Sequence, residues 1–151
     1  STFTEYYQDG VTPRKETPMQ QGKIDGTVKT YFRNGKIEAE KEYKQSVESG
    51  RERRFDSKTG EQIFESHYID GKKDGEEWEI FEDASTLRSR IIRHYRNGKL
   101  DGSYRVESTR DGKPYITIEG QYTDGEKSGQ WIEHNYDNNT QTCTWHGEGG
   151  A

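Results

Sequence analysis

The sequence predicts an all-β protein, an elongated single-layer antiparallel meander of repeated β-hairpins. Three observations carry this. Glycine recurs in turn dipeptides along the chain, the segments between turns alternate polar and apolar residues, and both features return every 24 to 27 residues.

The turns set the frame. Asp-Gly or Asn-Gly occurs nine times and Ser-Gly or Thr-Gly three times, so 12 of the 17 glycines stand in turn dipeptides. Asn-Gly and Asp-Gly accept the positive φ angles of tight hairpins and are the strongest short-range hairpin signal. The segments left between turns are about seven to nine residues, a normal strand length and too short for a stable helix. Read in order, strands are expected at 2–8, 14–20, 26–33, 37–44, 50–56, 61–69, 76–82, 88–96, 102–108, 114–123, 129–136 and 140–146. The alternation is clearest at 115–122, where Ile116, Ile118 and Tyr122 share one face and Thr117, Glu119 and Gln121 the other. Pro114 opens that strand, where a missing N–H is tolerated. Consecutive strands joined by short turns pair with each other, so residues 1–151 read as one repeat domain of about six hairpins.

The repeat has recognisable landmarks. Tyr43, Tyr68, Tyr95 and Tyr122 recur in phase, with Met19 in the same place one unit earlier. Three residues after each comes a turn position, Gly22, Ser46, Gly71, Gly98 or Gly125, and four further on another glycine, Gly26, Gly50, Gly75, Gly102 or Gly129. These paired glycines read as one turn. An apolar or aromatic residue follows, with another three positions later, as in Val28 and Tyr31 or Trp78 and Phe81. A second turn closes most units at Gly10, Gly35, Gly60 and Gly112, with glycine missing near Asp83 and Asn138.

Composition bounds what such a sheet can be. Leu, Ile, Val and Phe make up 14% of the 151 residues, too few for a large two-layer core, while 18 aromatic residues argue against disorder. No apolar run approaches a membrane span. The chain starts at Ser1, which fits a mature export product of the bacterial periplasm or envelope as well as a trimmed chain. A single cysteine, Cys143, excludes an internal disulfide and a cysteine-based zinc cluster. The whole net charge of −5 lies in residues 101–151, and acidic and basic residues balance elsewhere, which argues against nucleic acid. The basic clusters Arg51–Arg54 and Arg88–Arg96 read as solvated sheet-face charge.

Elements such as Tyr68-Ile69-Asp70-Gly71-Lys72-Lys73-Asp74-Gly75-Glu76-Glu77-Trp78 and Tyr95-Arg96-Asn97-Gly98-Lys99-Leu100-Asp101-Gly102-Ser103-Tyr104 resemble the MORN repeat. They look most like its bacterial variant, found in YwqK-like antitoxin components. The resemblance runs from about Phe3 to Tyr136 and implies a string of β-hairpins with a binding function. Ser46 in place of a turn glycine, Met19 in place of tyrosine and a lengthened loop from Glu82 to Arg88 depart from the pattern.

No catalytic constellation, cofactor motif or metal-ligand spacing stands out. His67, His94, His134 and His146 lack supporting motifs, and Glu76, Glu77, Glu79, Glu82 and Asp83 read as solvated surface. Tyr43, Tyr68, Tyr95 and Tyr122, with Ala39, Phe64, Ile91 and Ile118, read as a core ladder. The candidate contact residues are Trp78, Tyr104 and Trp131, an aromatic stripe at about 10 Å spacing if equivalent positions lie two strands apart. Tyr104 and Trp131 each follow the second turn glycine by two residues, and Trp78 joins them only if a bulge absorbs one more. Such a stripe is either the sheet's own packing or a row of protein-binding anchors. Asp124 and Glu126 lie in the acidic surround that would favour a basic protein partner. The expected function is therefore non-enzymatic protein binding centred on 101–136, by an antitoxin or immunity protein facing a toxin or effector. A lipid-binding adaptor is the alternative, disfavoured by the acidic balance.

Overall fold

The structure, a computed structural model, describes residues 1–82, 88–110 and 112–147. Its regular elements are all strands, and they divide into two compact units, Ser1–Lys73 and Asp74–Ala151. The first unit holds β1 (Thr2–Tyr6), β2 (Pro13–Gln20), β3 (Lys23–Ile24), β4 (Gly26–Tyr31), β5 (Ile37–Lys44), β6 (Val47–Phe55), β7 (Gln62–Ile69) and β8 (Lys72–Lys73). Within it the strand order is β1-β2-β4-β5-β6-β7, with β3 paired to the end of β2 and β8 to the end of β7. The second unit holds β9 (Gly75–Glu82), β10 (Arg88–Arg96), β11 (Lys99–Arg110), β12 (Lys113–Thr123), β13 (Glu126–Asn135) and β14 (Thr140–His146), ordered as in the sequence. Each unit is an open antiparallel meander of hairpins, the fold class the turns and alternation predict.

The paired glycines are not one turn, which corrects the reading above. The first glycine and the residue before it form a two-residue turn with both φ angles positive, as at Asn97 (53°) and Gly98 (85°) between the pair Arg96 and Lys99. That is the signature of a type I′ hairpin, whose twist matches its strands. Gly26 and Gly75 open β4 and β9 after the short strands β3 and β8, whereas Gly50, Gly102 and Gly129 lie inside the following strand, so β6, β11 and β13 begin three residues earlier than expected. There one residue opposes three: Glu42 faces Ser49, Gly50 and Arg51, His94 faces Asp101, Gly102 and Ser103, and Gly120 faces Gly129, Gln130 and Trp131. Gly102 serves this bulge because its φ of +111° is hostile to any side chain, and a Cβ there would press against His94 at 3.3 Å.

Successive turns are tied to each other. Ser46 N–H donates to Ile24 O at 2.7 Å, Gly71 N–H to Glu48 O at 2.9 Å, and Gly125 N–H to Leu100 O at 2.8 Å. The aspartate before the bulge glycine adds a second tie, since Asn97 N–H donates to Asp74 Oδ2 at 3.2 Å and Asp124 N–H to Asp101 Oδ1 at 3.4 Å. Asp-Gly at these positions is thus a turn-to-turn clamp. Ser46 replaces glycine at a φ of 66° and offsets the strain by accepting a hydrogen bond from Ile24 N–H at 3.0 Å.

The core is as thin as the composition requires: among the described residues the buried apolar side chains are Val28, Phe64, Val106 and Trp131. Three of the five positions two residues beyond a bulge glycine hold Val28, Glu52 and Trp131, and the other two hold Glu77 and Tyr104. Glu77 is 1% exposed, which overturns its assignment to solvated surface. It faces Arg93, whose Nε donates to its Oε2 at 2.6 Å, so this arginine too is a packed partner and no free surface charge. A buried carboxylate persists only when paired in this way. Asp83 and Asp111, and most of the loop from Glu82 to Arg88, lie outside the described residues.

Candidate binding face

In the second unit the bulges sort the aromatic residues onto two faces. Tyr104, Tyr122 and Trp131 meet on the packed face, with ring centroids 5.7 Å apart for Tyr104 and Tyr122, 5.3 Å for Tyr104 and Trp131, and 5.2 Å for Tyr122 and Trp131. The 10 Å stripe is therefore absent: the rings lean together and touch. Trp131 lies over Gly120, where a Cβ would overlap the indole, and its Nε1–H donates to Gln121 O at 3.1 Å. It is 7% exposed, so the indole is packing and offers no free anchor surface. Tyr104 is half-buried beside it, and that burial pushes its phenol pKa up. Tyr122, the tyrosine of the ladder on β12, thus belongs to this packed face.

Trp78 does not join them. With Glu77 in the buried position, Trp78 points to the opposite face, where Arg90 lies 4.8 Å above its ring. From Trp78 a row of directly paired residues crosses five strand pairs on that face: Ile92, Arg105, Glu119, Ile132 and Cys143. Beside this row is an open depression of about 320 Å³ lined by Ser103, Arg105, Glu119, Gln121, Gln130 and Ile132, together with Tyr104 and Gly120. Gln130 pairs with Trp145, so the alternation of β14 brings Trp145 and Cys143 to the same face. Trp145 is 50% exposed. It follows the last glycine pair and carries no repeat landmark, so landmark counting misses it. The two-residue alternation of Thr140–His146 contains the signal.

The polar groups on this face are largely matched. Arg105 Nε meets Glu107 Oε1 at 2.8 Å, and His134 Nε2 lies 3.8 Å from Glu119 Oε1. Elsewhere in the unit Tyr136 is 51% exposed, but it stacks on Tyr115 at 4.6 Å and carries the Arg110 guanidinium 5.1 Å from its centroid. Trp145 therefore remains as the large ring with the least cover on the open face. Asp124 and Glu126 sit apart, exposed at the β12–β13 turn and the first position of β13. Their carboxylates shape the field at the hairpin end and do not line the depression.

Among the described residues no group of three or more His, Cys, Asp or Glu could hold a metal ion, and no helix is long and apolar enough to cross a membrane. His67 lies 3.3 Å from Glu65, and His94 lies 3.6 Å from Glu76 and 3.1 Å from Ser103, local pairs with no third ligand. No protein-family model, curated protein or solved structure matches the chain.

Proposed function

We propose that the chain is a non-enzymatic binding protein whose β11–β14 face holds a basic protein partner, in the manner of an antitoxin or immunity protein. The observation that carries this is the half-exposed Trp145 beside an open depression on a face whose charges are mostly paired among themselves. A large aromatic ring next to a shallow, amphipathic depression supplies the desolvated centre of a typical protein interface. The net −5 of residues 101–151 adds a field that accelerates encounter with a basic surface and rejects acidic ones. The antitoxin reading rests on the MORN-like elements quoted above.

The test is capture from the native host with the whole chain as bait, followed by measurement of the purified pair and of growth rescue against the toxin-like neighbour in the genome. A stoichiometric partner with a basic surface, bound at least about tenfold more weakly by Trp145→Ala, is the expected result. No stable partner and no rescue of growth would sink the proposal.

A further inference from the structure

Strand β14 ends the strand order of the second unit: it pairs with β13 and with no other described strand. Its sequence, Thr-Gln-Thr-Cys-Thr-Trp-His, has no proline and no carboxylate, lysine or arginine. Six of its seven residues are exposed, and all seven pair with β13 in unbroken register. Natural edge strands are usually blunted by charge, proline, bulges or brevity, because an open row of N–H and C=O groups recruits further strands. The outer strand of the first unit, β1, has such protection: it is five residues long, carries Glu5, and shifts register between Glu5 and Tyr6. In β14 none of these devices is present.

We propose that β14 pairs with β14 of a second copy of the chain, antiparallel about a two-fold axis through Cys143. Cys143 is the central residue of the strand. In that register Thr140 faces His146 of the second copy, Gln141 faces Trp145, Thr142 faces Thr144, and Cys143 faces its own equivalent. No like charges oppose each other, and the Thr–Thr pairs and the Gln amide against the indole are favourable cross-strand neighbours. The register works whichever backbone groups point outward. Centred on Cys143, the central pair is either hydrogen-bonded or not, with Cα atoms about 5.5 Å or about 4.5 Å apart. An isologous contact of this kind consumes both edges and closes as a dimer, whereas β14 meeting β1 of another copy would propagate.

The whole chain should show a monomer–dimer equilibrium by sedimentation velocity across a dilution series from sub-millimolar to micromolar. Diamide oxidises two thiols to one disulfide while taking up their two electrons and two protons. Both Cα separations lie within disulfide reach, so it should link Cys143 to Cys143 at least about tenfold faster in the folded chain than in urea. A Cys143→Ser, Thr144→Cys chain places its thiols diagonally, two residues out of register, and should link at least about tenfold more slowly than Cys143. The Thr142→Lys, Thr144→Lys chain should retain its circular dichroism and sediment as a monomer. A monomer at every concentration overturns the proposal, as do growth beyond dimer, equal linking rates at 143 and 144, or dimerisation of the lysine variant with wild-type affinity. Because these measurements use the chain alone, they are independent of partner capture.

Discussion

Glu52 in the first unit and Trp131 in the second both stand two residues beyond a bulge glycine, and both are 7% exposed, yet they are held by opposite chemistry. Around Glu52 the packed face is a charge network. Arg54 approaches its carboxylate at 2.9 Å, Lys41 at 3.8 Å, and the Tyr68 hydroxyl donates to it at 3.2 Å. The Lys41 ammonium lies 4.8 Å from the Tyr68 ring and also pairs with Glu48 at 2.6 Å. Burial alone would pull the Lys41 pKa down, but the Glu48 hydrogen bond and the Glu52 charge outweigh it and raise it. Around Trp131 the same place is filled by three touching aromatic rings and a glycine that makes room for them. The bulge and the clamped turns therefore fix which residues face inward, while ion pairing or aromatic packing can fill that position. A thin sheet tolerates both because either solution covers the position from neighbouring strands.

The largest effect expected from disturbing this pair of solutions is at Trp131. Replacing it with Ala removes the hub of the aromatic cluster and should destabilise the chain by about 3 kcal/mol or more in urea unfolding. Gly120→Ala should cost about 2 kcal/mol, since the new methyl displaces the indole. A cost below about 0.5 kcal/mol for Trp131→Ala would mean that the cluster is incidental to stability.

At the other position, Glu52→Ala should cost about 2 kcal/mol by leaving the half-buried Lys41 without one of its two carboxylates, a figure lowered from the fully buried case because Arg54 is solvated. The double change Glu52→Val, Lys41→Met should recover most of that loss, since apolar replacements of a buried ion pair are often neutral. If the double variant is as unstable as the single one, the network has a role that Val28, its equivalent one unit earlier, does not share.

The turn frame predicts a smaller effect. Ser46→Ala loses the hydrogen bond to Ile24 N–H and keeps the strain of a positive φ, so it should cost about 1 kcal/mol. Ser46→Gly loses the same bond but relieves the strain, and should stay within about 0.5 kcal/mol of wild type. Equal costs for the two would remove strain from the account.

The mildest perturbation is alkaline. Tyr31 is raised to about 12 by the hydrogen bond it donates to Glu16 and then by burial, and Tyr68 to about 12 by burial and then by the Glu52 charge. Each phenol keeps its proton more tightly folded than at its ordinary value of 10.0. The folded state therefore binds more protons in this window, and stability falls as pH rises from 10 toward 12. Tyr68→Phe should make that decline shallower in denaturant titrations across the window. An unchanged slope would place the Tyr68 proton outside the folding linkage.

Much of this was readable in the residues. Asn-Gly and Asp-Gly located hairpin turns such as Asn97-Gly98 and Asp124-Gly125, because that signal acts over a few residues. Alternation placed Ile118 and Tyr122 on one face but failed at Ile116, which pairs with Glu107 while Ile118 pairs with Val106, so the bulge between them turns Ile116 to the opposite face. The bulges were not readable as such: Asp101-Gly102 and Asp74-Gly75 have the composition of turns, and only register and hydrogen bonding reveal the first as a clamp inside β11 and the second as a clamp at the start of β9. That misreading hid the equivalence of Glu77 with Tyr104 and Trp131, although the count of two residues past the glycine was in the sequence. Trp78, the doubtful member of the stripe, emerged on the open face for the same reason. Trp131 looked like an anchor because its burial depends on Gly120, opposite it on the neighbouring strand β12, which no local pattern encodes.

Trp131 is buried in the packed side of the second unit, and the proposed partner contact therefore falls to the half-exposed Trp145. Once a partner has been captured, its affinity for the Trp145→Ala chain tests this most directly. Binding should weaken by at least about tenfold, mainly through faster dissociation, with an unchanged urea midpoint because a half-exposed edge residue carries little of the fold. Wild-type affinity in Trp145→Ala, with binding lost instead on changing Val28 or Tyr31, would contradict it.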